Sequence, residues 1–397
     1  MGEKNTAIKL MAASILTGKA ILHNVPDITD ILKLALILKK MGAKIFRRGH
    51  TLEIDTINLK ATDPDPDLVR SIRASVILVG PLLARFGKVK IPHPGGCVIG
   101  ARPIDLHLKA FRDLGVEIKE SPDLYEFKID HIGASVVSFE TISVGATENL
   151  LMFASFFAES ITLKNCAIEP GVVDLAGFLN KAGAKISFEN RTISILGSKN
   201  LKAIEYTVIP DRIEAGTFAI LAAATRSNLE INQVRTEHIG ALLDKFRAIG
   251  VKFEIEKDKL YIKKSDNLKA IDISTAEYPG FPTDLQSPMG ALLTQAHGKS
   301  HIRENIFENR LGYLEELKKM GANINIRNDR EAEICGPTEL SGARIESLDL
   351  RAGATLIIAG LMASSRTIIE NAETIDRGYE KIEERLAKIG AKIQRVS

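Results

Sequence analysis

The sequence has few cysteines, no long apolar run and no excess of charge of either sign. Its three cysteines, Cys97, Cys166 and Cys335, are too few for a disulfide framework, which predicts a reduced, intracellular protein. No apolar stretch reaches the roughly 18 residues of a transmembrane helix, and no basic-then-apolar leader is present. Because 53 basic and 50 acidic residues nearly cancel, nucleic-acid and membrane partners are not expected. The composition therefore predicts a soluble cytoplasmic protein.

A short pattern containing glycine is present six times along the chain. In each copy the glycine follows an amphipathic segment and precedes a β-rich one, as in Leu38–Ile45 (LKKMGAKI) and Leu386–Ile393 (LAKIGAKI). The copies recur about every 70 residues, too long a period for common solenoids. A glycine in this position is typical of a helix C-cap with a left-handed backbone. The six glycines are Gly42, Gly115, Gly183, Gly250, Gly321 and Gly390.

Each of the six units is predicted to alternate two helices with strands. A strand such as Lys19–Leu22 precedes the amphipathic helix, and an apolar helix such as Ile213–Ala224 precedes a strand. The apolar helix is expected to be buried and the amphipathic helix to lie outside it. The other predicted strands are Lys88–Ile91, Ile161–Lys164, Leu229–Ile231, Ser300–Ile302 and Arg366–Ile369, and the other apolar helices are Leu285–Gln295 and Ala352–Ala363.

Six units in 397 residues favour two domains of three units each. The first domain is predicted over residues 4–209, and the second over residues 210–397 together with residues 1–3. At the boundary, Pro210 would end a strand and Asp211 would cap the helix that follows. The predicted fold class is α/β.

One loop, residues 94–105 (PGGCVIGARPID), brings together a thiol, a guanidinium and a carboxylate. Its glycines and prolines exclude a regular helix or strand and allow close approach to a ligand. From residue types alone, a packed structural Cys97 is about as well supported as a reactive one. A metal site using His93 and His107 is disfavoured because their spacing fits no structural zinc pattern. Cys166 and Cys335 lie beside strand-like residues and are predicted to belong to the core.

The repeat and this loop together resemble the enolpyruvyl transferase family. The loop looks like the signature of its UDP-N-acetylglucosamine 1-carboxyvinyltransferases, and the resemblance covers essentially the whole chain. The other matching segments are residues 4–5 (KN), 73–75 (RAS), 143–147 (SVGAT), 210–214 (PDRIE), 281–284 (FPTD), 307–310 (FENR), 349–352 (DLRA) and 376–379 (DRGY). The resemblance implies a two-domain fold, an inside-out α/β barrel with three helix–strand units per domain.

The resemblance also implies a reaction and its partners. The enolpyruvyl group of phosphoenolpyruvate would pass to the 3-hydroxyl of UDP-N-acetylglucosamine with release of phosphate, as the first committed step of peptidoglycan synthesis. Both substrates are anionic, so the site should be rich in fixed cations, and closure of two domains should exclude water. No cofactor or metal is expected, and the chain is expected to act as a monomer.

Individual roles follow from the resemblance, residue by residue. Cys97 is the expected general acid, because a thiol is mostly protonated near neutral pH, and Asp284 should orient and deprotonate the sugar hydroxyl. The expected ligands of phosphoenolpyruvate are Lys4, Asn5, Arg102, Arg351 and Arg377. The expected ligands of UDP-N-acetylglucosamine are Arg73, Arg102, Pro103, Ile104, Asp105, Leu106, Ser143, Val144, Gly145, Asp284 and Ile306.

Several of these residues also fit ordinary structural roles. Asp284 fits a helix N-cap, while Arg310 and Asp349 fit helix capping and interdomain ion pairing equally well. Thr141 stands where relatives commonly carry lysine, so one ionic contact to the diphosphate is expected to be missing. The resemblance further implies a leading strand ahead of Lys4 that completes the sixth unit, and the sequence from Met1 does not supply it.

Two other functions are alternatives to the UDP-N-acetylglucosamine 1-carboxyvinyltransferase interpretation. A catalytically impaired paralogue that binds a UDP-sugar would explain the missing leading strand, whereas Cys97, Asp284 and the arginines favour the active enzyme. A shikimate-pathway enolpyruvyl transferase shares the fold but gives no reason for the Cys97 loop.

Overall fold

The computed structural model describes residues 1–61, 63–93 and 104–396. These residues form two compact units, of which the first ends at Ile209 and the second begins at Pro210. Residues 1–3 belong to the first unit, so their expected place in the second domain is wrong. The physical reason is a backbone hydrogen bond of 2.8 Å from the Glu3 N–H to the Ile209 carbonyl, together with close packing of Gly2 on Asn24.

Helices and strands alternate through the first unit. Its helices are α1 (Lys4–Thr17), α2 (Thr29–Lys40), α3 (Pro66–Ser71), α4 (Val79–Phe86), α5 (Asp105–Asp113), α6 (Val144–Ala154) and α7 (Pro170–Ala182), with a 3-10 helix at Arg73–Leu78. Its strands are β1 (Lys19–His23), β2 (Lys44–Arg48), β3 (Thr51–Asp55), β4 (Lys88–Pro92), β5 (Glu117–Glu120), β6 (Leu124–Lys128), β7 (Val136–Ser138), β8 (Ser160–Lys164), β9 (Lys185–Glu189), β10 (Thr192–Leu196) and β11 (Ile204–Thr207).

Three sheets surround the apolar helices of this first unit. Their strand orders are β11-β1-β3-β2, β4-β6-β5 and β7-β8-β10-β9. The nearly fully buried helices α1, α4 and α6 pack on one another in the centre. The strands alternate buried and exposed residues, as sheets with one face on a core do. The first unit is therefore an α/β structure with its apolar helices inside and its sheets outside.

The second unit repeats this plan. Its helices are α8 (Arg212–Ala224), α9 (Gly240–Ile249), α10 (Thr283–Leu293), α11 (Tyr313–Lys319), α12 (Leu350–Met362) and α13 (Ile382–Lys388), with 3-10 helices at Thr236–Ile239 and Ala372–Arg377. Its strands are β12 (Leu229–Ile231), β13 (Lys252–Glu256), β14 (Lys259–Lys263), β15 (Ile273–Ser274), β16 (Gly298–Arg303), β17 (Asn323–Ile326), β18 (Glu331–Gly336), β19 (Arg344–Glu346) and β20 (Ile368–Glu370). The sheets are β12-β14-β13, β15-β16-β18-β17 and β19-β20, and the apolar helices α8, α10 and α12 pack together.

Most of the local predictions from the repeat agree with the structure. All six repeat glycines have positive φ, from 91° at Gly250 to 122° at Gly183. Asp211 caps α8, since its carboxylate accepts hydrogen bonds from the N–H groups of Ile213 and Glu214. The predicted strand Arg366–Ile369 is displaced, because the observed β20 begins at Ile368. Within the described ranges, no helix is both long enough and apolar enough to span a bilayer.

Candidate active site

Asp284 lies in the first turn of α10, and its carboxylate is held by two arginines. Arg310 Nη2 donates to Oδ1 at 2.6 Å. Arg351 donates to Oδ2 from Nε at 3.1 Å and from Nη2 at 3.0 Å. The N-cap position of α10 is occupied by Pro282, so Asp284 is not the helix cap that its position allowed. Charge-assisted hydrogen bonds of this kind are strong and fix the carboxylate in one orientation.

The electrostatics of this cluster favour ionised Asp284. Its side chain is 25% exposed, whereas those of Arg310 and Arg351 are each 4% exposed. Partial burial acts to raise the pKa of Asp284, but the charges of Arg351 and Arg310 outweigh it and hold that pKa well below the usual range. A carboxylate held in this way is a weak proton acceptor. In this arrangement Asp284 can orient a partner, but it cannot readily take a proton from one.

Arg351 is itself fixed from two sides. Asp349 caps α12 by accepting hydrogen bonds from the N–H groups of Arg351 and Ala352. The Arg351 guanidinium donates to the Tyr379 hydroxyl at 3.0 Å and lies 5.3 Å from the centre of that ring. The Tyr379 hydroxyl also shares a 2.9 Å hydrogen bond with Thr217. Asp349 is therefore a helix cap, and Tyr379 and Thr217 are supporting residues to which sequence analysis gave no role.

A buried carboxylate that the sequence analysis missed, Glu304, organises the segment that carries Ile306. Glu304 Oε1 accepts from the Thr275 hydroxyl and the Ile306 N–H, each at 2.9 Å. Its Oε2 accepts from the Thr283 hydroxyl at 2.8 Å, and Thr283 immediately precedes Asp284. Glu304 thus links the turn of Ile306 to the start of α10. Its sequence signal was weak, since a lone acidic residue after a strand usually faces solvent.

In the first unit, Lys4 opens α1 and is held by Asp30. Lys4 Nζ lies 2.6 Å from Asp30 Oδ2, and the two side chains are only 9% and 3% exposed. The neighbouring Asn5 is exposed at the same helix start. Asp30, in the first turn of α2, was not recognised from the sequence, because acidic residues in a first helical turn are common there.

Further buried charges lie along α1. Lys9 forms an ion pair with Glu148 of α6, and both residues are buried. Burial raises the pKa of Glu148 to about 7, although the charge of Lys9 acts in the opposite direction and Glu169 and Glu3 add to the increase. Buried ionisable groups are therefore present close to the helix start that carries Lys4 and Asn5.

Ser143, Val144 and Gly145 form the N-terminal end of α6. The Ser143 hydroxyl accepts a hydrogen bond from the Ala146 N–H at 3.3 Å. The first turn of a helix presents unpaired N–H groups and a partial positive charge, which suits a phosphate group. A Cβ at position 145 would lie 3.1 Å from His107 Nε2, so glycine allows this imidazole to reach the helix start.

His107 connects α5 to α6. Its Nδ1 accepts a hydrogen bond from Asn149 Nδ2 at 3.1 Å, in the tautomer that carries its proton on Nε2. Asn149 Nδ2 also donates to the Val76 carbonyl at 2.8 Å, within the 3-10 helix that starts at Arg73. The predicted nucleotide-sugar segments that start at Arg73, Asp105 and Ser143 are thus brought together.

The remaining predicted site residues are placed as follows. Ile104 is buried just before α5, Asp105 is exposed, and Leu106 is half-buried. Arg377 ends the 3-10 helix Ala372–Arg377 and is half-buried. Cys97, Arg102, Pro103 and the side chain of Arg73 lie outside the described residues.

The other two cysteines differ in burial. Cys166 belongs to the core as predicted, and burial raises the pKa of its thiol to about 12. The same prediction for Cys335 is wrong, because this residue lies in β18 and is only half-buried.

Comparison with known proteins assigns the chain to a family. The family model described as EPSP synthase (3-phosphoshikimate 1-carboxyvinyltransferase) matches residues 1–386. The chain belongs to the enolpyruvyl transferase family. Among solved structures, the enolpyruvyl transferase NikO from Streptomyces tendae aligns with a TM-score of 0.90 at 24% identity, covering 99% of this chain and 94% of that one. The fold predicted for an enolpyruvyl transferase, with two domains of helix–strand units, is confirmed.

Curated relatives narrow the likeness within the enolpyruvyl transferases. A protein named UDP-N-acetylglucosamine 1-carboxyvinyltransferase 1 from Caldanaerobacter subterraneus subsp. tengcongensis is 45% identical over 397 residues, which is 99% of this chain and 95% of that relative. A protein of the same name from Clostridium acetobutylicum is 46% identical over 398 residues, again 99% of this chain and 95% of the relative.

Proposed function

We propose that this enolpyruvyl transferase carries the enolpyruvyl group of phosphoenolpyruvate to the 3-hydroxyl of UDP-N-acetylglucosamine, as the first committed step of peptidoglycan synthesis. The support is the near full-length likeness to relatives with that named activity, at 45% and 46% identity. The sugar oxygen adds to C2 of phosphoenolpyruvate while C3 gains a proton. C3 then loses a proton and the C2–O bond to phosphate breaks, which releases inorganic phosphate. The enzyme is proposed to work in the cytoplasm as a monomer without a cofactor.

The arginine cluster gives Asp284 a role that depends on substrate. In the structure, Arg351 and Arg310 depress the pKa of this carboxyl and oppose proton transfer to it. When the anionic groups of phosphoenolpyruvate take up the N–H groups of Arg351, part of that stabilisation is withdrawn. The pKa of Asp284 then rises, and the carboxylate becomes able to accept the proton of the 3-hydroxyl. Binding of phosphoenolpyruvate thus activates Asp284 as the base.

The first unit is proposed to supply the nucleotide-sugar contacts and the acid. The N–H groups at the start of α6, in Ser143–Gly145, suit the diphosphate, with the α5 start at Asp105 and Leu106 beside them. Lys4, kept in place by Asp30, is proposed to bind the phosphate of phosphoenolpyruvate with Asn5. Cys97 is proposed as the group that protonates C3.

The function is tested by measuring phosphate release with two acceptors. Purified protein is mixed with phosphoenolpyruvate and either UDP-N-acetylglucosamine or 3-phosphoshikimate. We expect release only with the nucleotide sugar, and a product whose mass has increased by one enolpyruvyl group. Release with 3-phosphoshikimate but not with UDP-N-acetylglucosamine would identify the chain as a shikimate-pathway enolpyruvyl transferase. Binding of UDP-N-acetylglucosamine without turnover would indicate the impaired paralogue.

A further inference from the structure

Glu304 directly follows β16 and is completely buried, yet both oxygens of its carboxylate accept hydrogen bonds. Its Oε1 accepts from the backbone N–H groups of Ile306 and Phe307, at 2.9 Å and 3.1 Å. The same oxygen accepts from the Thr275 hydroxyl at 2.9 Å, and Oε2 accepts from the Thr283 hydroxyl at 2.8 Å. Burying a carboxylate is costly unless it is well hydrogen-bonded, and here four donors from three segments of the chain meet that requirement.

The start of α10 has no side-chain cap of its own, and Glu304 takes over part of that role. The N-cap residue is Pro282, which makes no side-chain hydrogen bond to the first turn. A helix start carries unpaired N–H groups and a partial positive charge, so a carboxylate beside it is stabilising. Glu304 reaches this start through the hydroxyl of Thr283, the first residue of α10. The contact therefore fixes the residue that immediately precedes Asp284.

The segment from Glu304 to Arg310 is attached to α10 at two consecutive residues. Glu304 accepts from Thr283, and Arg310 Nη2 donates to the Asp284 carboxylate at 2.6 Å. Ile306 lies between these two attachments, and its N–H points to Glu304. The two hydrogen bonds close a ring of protein that contains both Asp284 and Ile306. Such a ring keeps these two residues at a constant separation, because neither attachment can move without breaking a hydrogen bond.

We propose that Glu304 and Thr283 are positioning residues for the nucleotide sugar. Their hydrogen bond fixes Asp284 and Ile306 relative to each other, so that a carboxylate and an apolar side chain meet the sugar in one geometry. The inference rests on the function proposed above and on the expected contact of Asp284 and Ile306 with UDP-N-acetylglucosamine. Placement matters because the reacting hydroxyl must lie within hydrogen-bond reach of its base. Glu304 is fully buried and acts only through its neighbours.

The first variant is Thr283→Val, which removes the hydroxyl but keeps the shape of the side chain. We expect KM for UDP-N-acetylglucosamine to rise about tenfold and turnover to fall about tenfold, as the loss of one hydrogen bond to a charged group allows. KM for phosphoenolpyruvate should change less than about threefold, because its expected ligands Lys4 and Asn5 lie in the first unit. Thr283→Ser keeps the hydroxyl and should return these values to within about twofold of the parent.

Thr294→Val is the matched control, just beyond the other end of α10. The Thr294 hydroxyl is buried and donates to the Ala291 carbonyl at 2.7 Å. Its removal therefore costs a hydrogen bond in the same region of the core without touching Glu304. We expect this control to keep both KM values, although it lowers the melting temperature at least as much as Thr283→Val does.

Amide hydrogen exchange in the substrate-free protein tests the same coupling without depending on the reaction. In the parent, the Ile306 and Phe307 N–H groups should exchange slowly, because Glu304 accepts both. Thr283→Val releases one oxygen of that carboxylate and should speed exchange at these two amides about tenfold. Thr294→Val should leave their exchange unchanged.

The two measurements separate this inference from the proposed function. If the parent releases no phosphate with UDP-N-acetylglucosamine, the proposed function fails, and the exchange rates alone decide whether Glu304 couples the two segments. In an active parent, an unchanged KM for the nucleotide sugar in Thr283→Val, or an equal rise in Thr294→Val, would overturn the positioning role. Equal exchange at Ile306 and Phe307 in the parent and in Thr283→Val would overturn the coupling itself, whether or not the parent is active.

Discussion

Asp284 shows how two arginines decide what one carboxylate can do. We expect Asp284→Asn to reduce turnover by about 100-fold or more, in the range for loss of a general base. Its effect on KM for UDP-N-acetylglucosamine should be smaller, because an amide still forms hydrogen bonds. The measurement is steady-state kinetics of phosphate release. Turnover within about twofold of the parent enzyme would exclude Asp284 as the base.

The same residue predicts a dependence of stability on acid. Arg351 and Arg310 hold the folded-state pKa of Asp284 below its unfolded value, which is about 3.9. A depressed carboxyl pKa contributes stability that is present above the unfolded pKa and lost as the pH falls toward the folded one. We therefore expect denaturant midpoints of the parent and Asp284→Asn to differ most above about pH 5 and to approach each other progressively as the pH falls below about 4. Parallel midpoints across this range would contradict the arrangement.

At the scale of the element, α1 and α6 are joined by the buried ion pair of Lys9 and Glu148. Its effect on the stability of the fold changes with pH in the opposite direction to that of Asp284. The pKa of Glu148 is raised to about 7, so this group opposes folding increasingly as the pH rises from its unfolded pKa, near 4.5, to about 7. The double variant Lys9→Met with Glu148→Gln removes both charges and leaves neither unpaired.

We expect the stability of this double variant, relative to that of the parent, to rise by about 2 kcal/mol as the pH increases from 5 to 7.5. Denaturant unfolding at several pH values measures the difference. The exposed pair Lys109–Asp113 serves as control, because neutralising it should leave the pH profile almost unchanged. A gain of the same size in the control would show that the effect is one of net charge.

The start of α6 leaves little space for a side chain at Gly145. A Cβ at Gly145 would lie 3.1 Å from His107 Nε2, so Gly145→Ala should displace the imidazole and the first turn. We expect KM for UDP-N-acetylglucosamine to rise about tenfold with little change in melting temperature. Gly240→Ala, at the start of α9, is the matched control because no atom lies within 4 Å of its Cβ position. An unchanged KM in Gly145→Ala would remove this helix start from the nucleotide-sugar site.

At the scale of the whole molecule, the two units have separate hydrophobic cores. Phe153 is fully buried in the first core and Phe246 in the second. Replacing either by alanine leaves a cavity that costs about 3–5 kcal/mol. We expect Phe153→Ala and Phe246→Ala each to lower the midpoint temperature of a different calorimetric transition. If both variants shift a single common transition equally, the units unfold as one.

Much of this architecture was predictable because it is repeated. The six glycines and the apolar helices are local signals, and the helix cap at Asp211 depends on the residues next to it. The site was less predictable. Glu304 and Asp30 are single carboxylates without a motif, and only folding shows that one accepts four hydrogen bonds while the other holds Lys4. The role of Cys97 remains a prediction.

The sequence by itself determined the six-unit plan, because that plan depends on residue types at regular spacing. Its motifs also carried the resemblance that implied the family and the candidate site residues. The tertiary structure decided their ionisation and their partners. Asp284 has a low pKa because Arg310 and Arg351, 26 and 67 residues away along the chain, both donate to it.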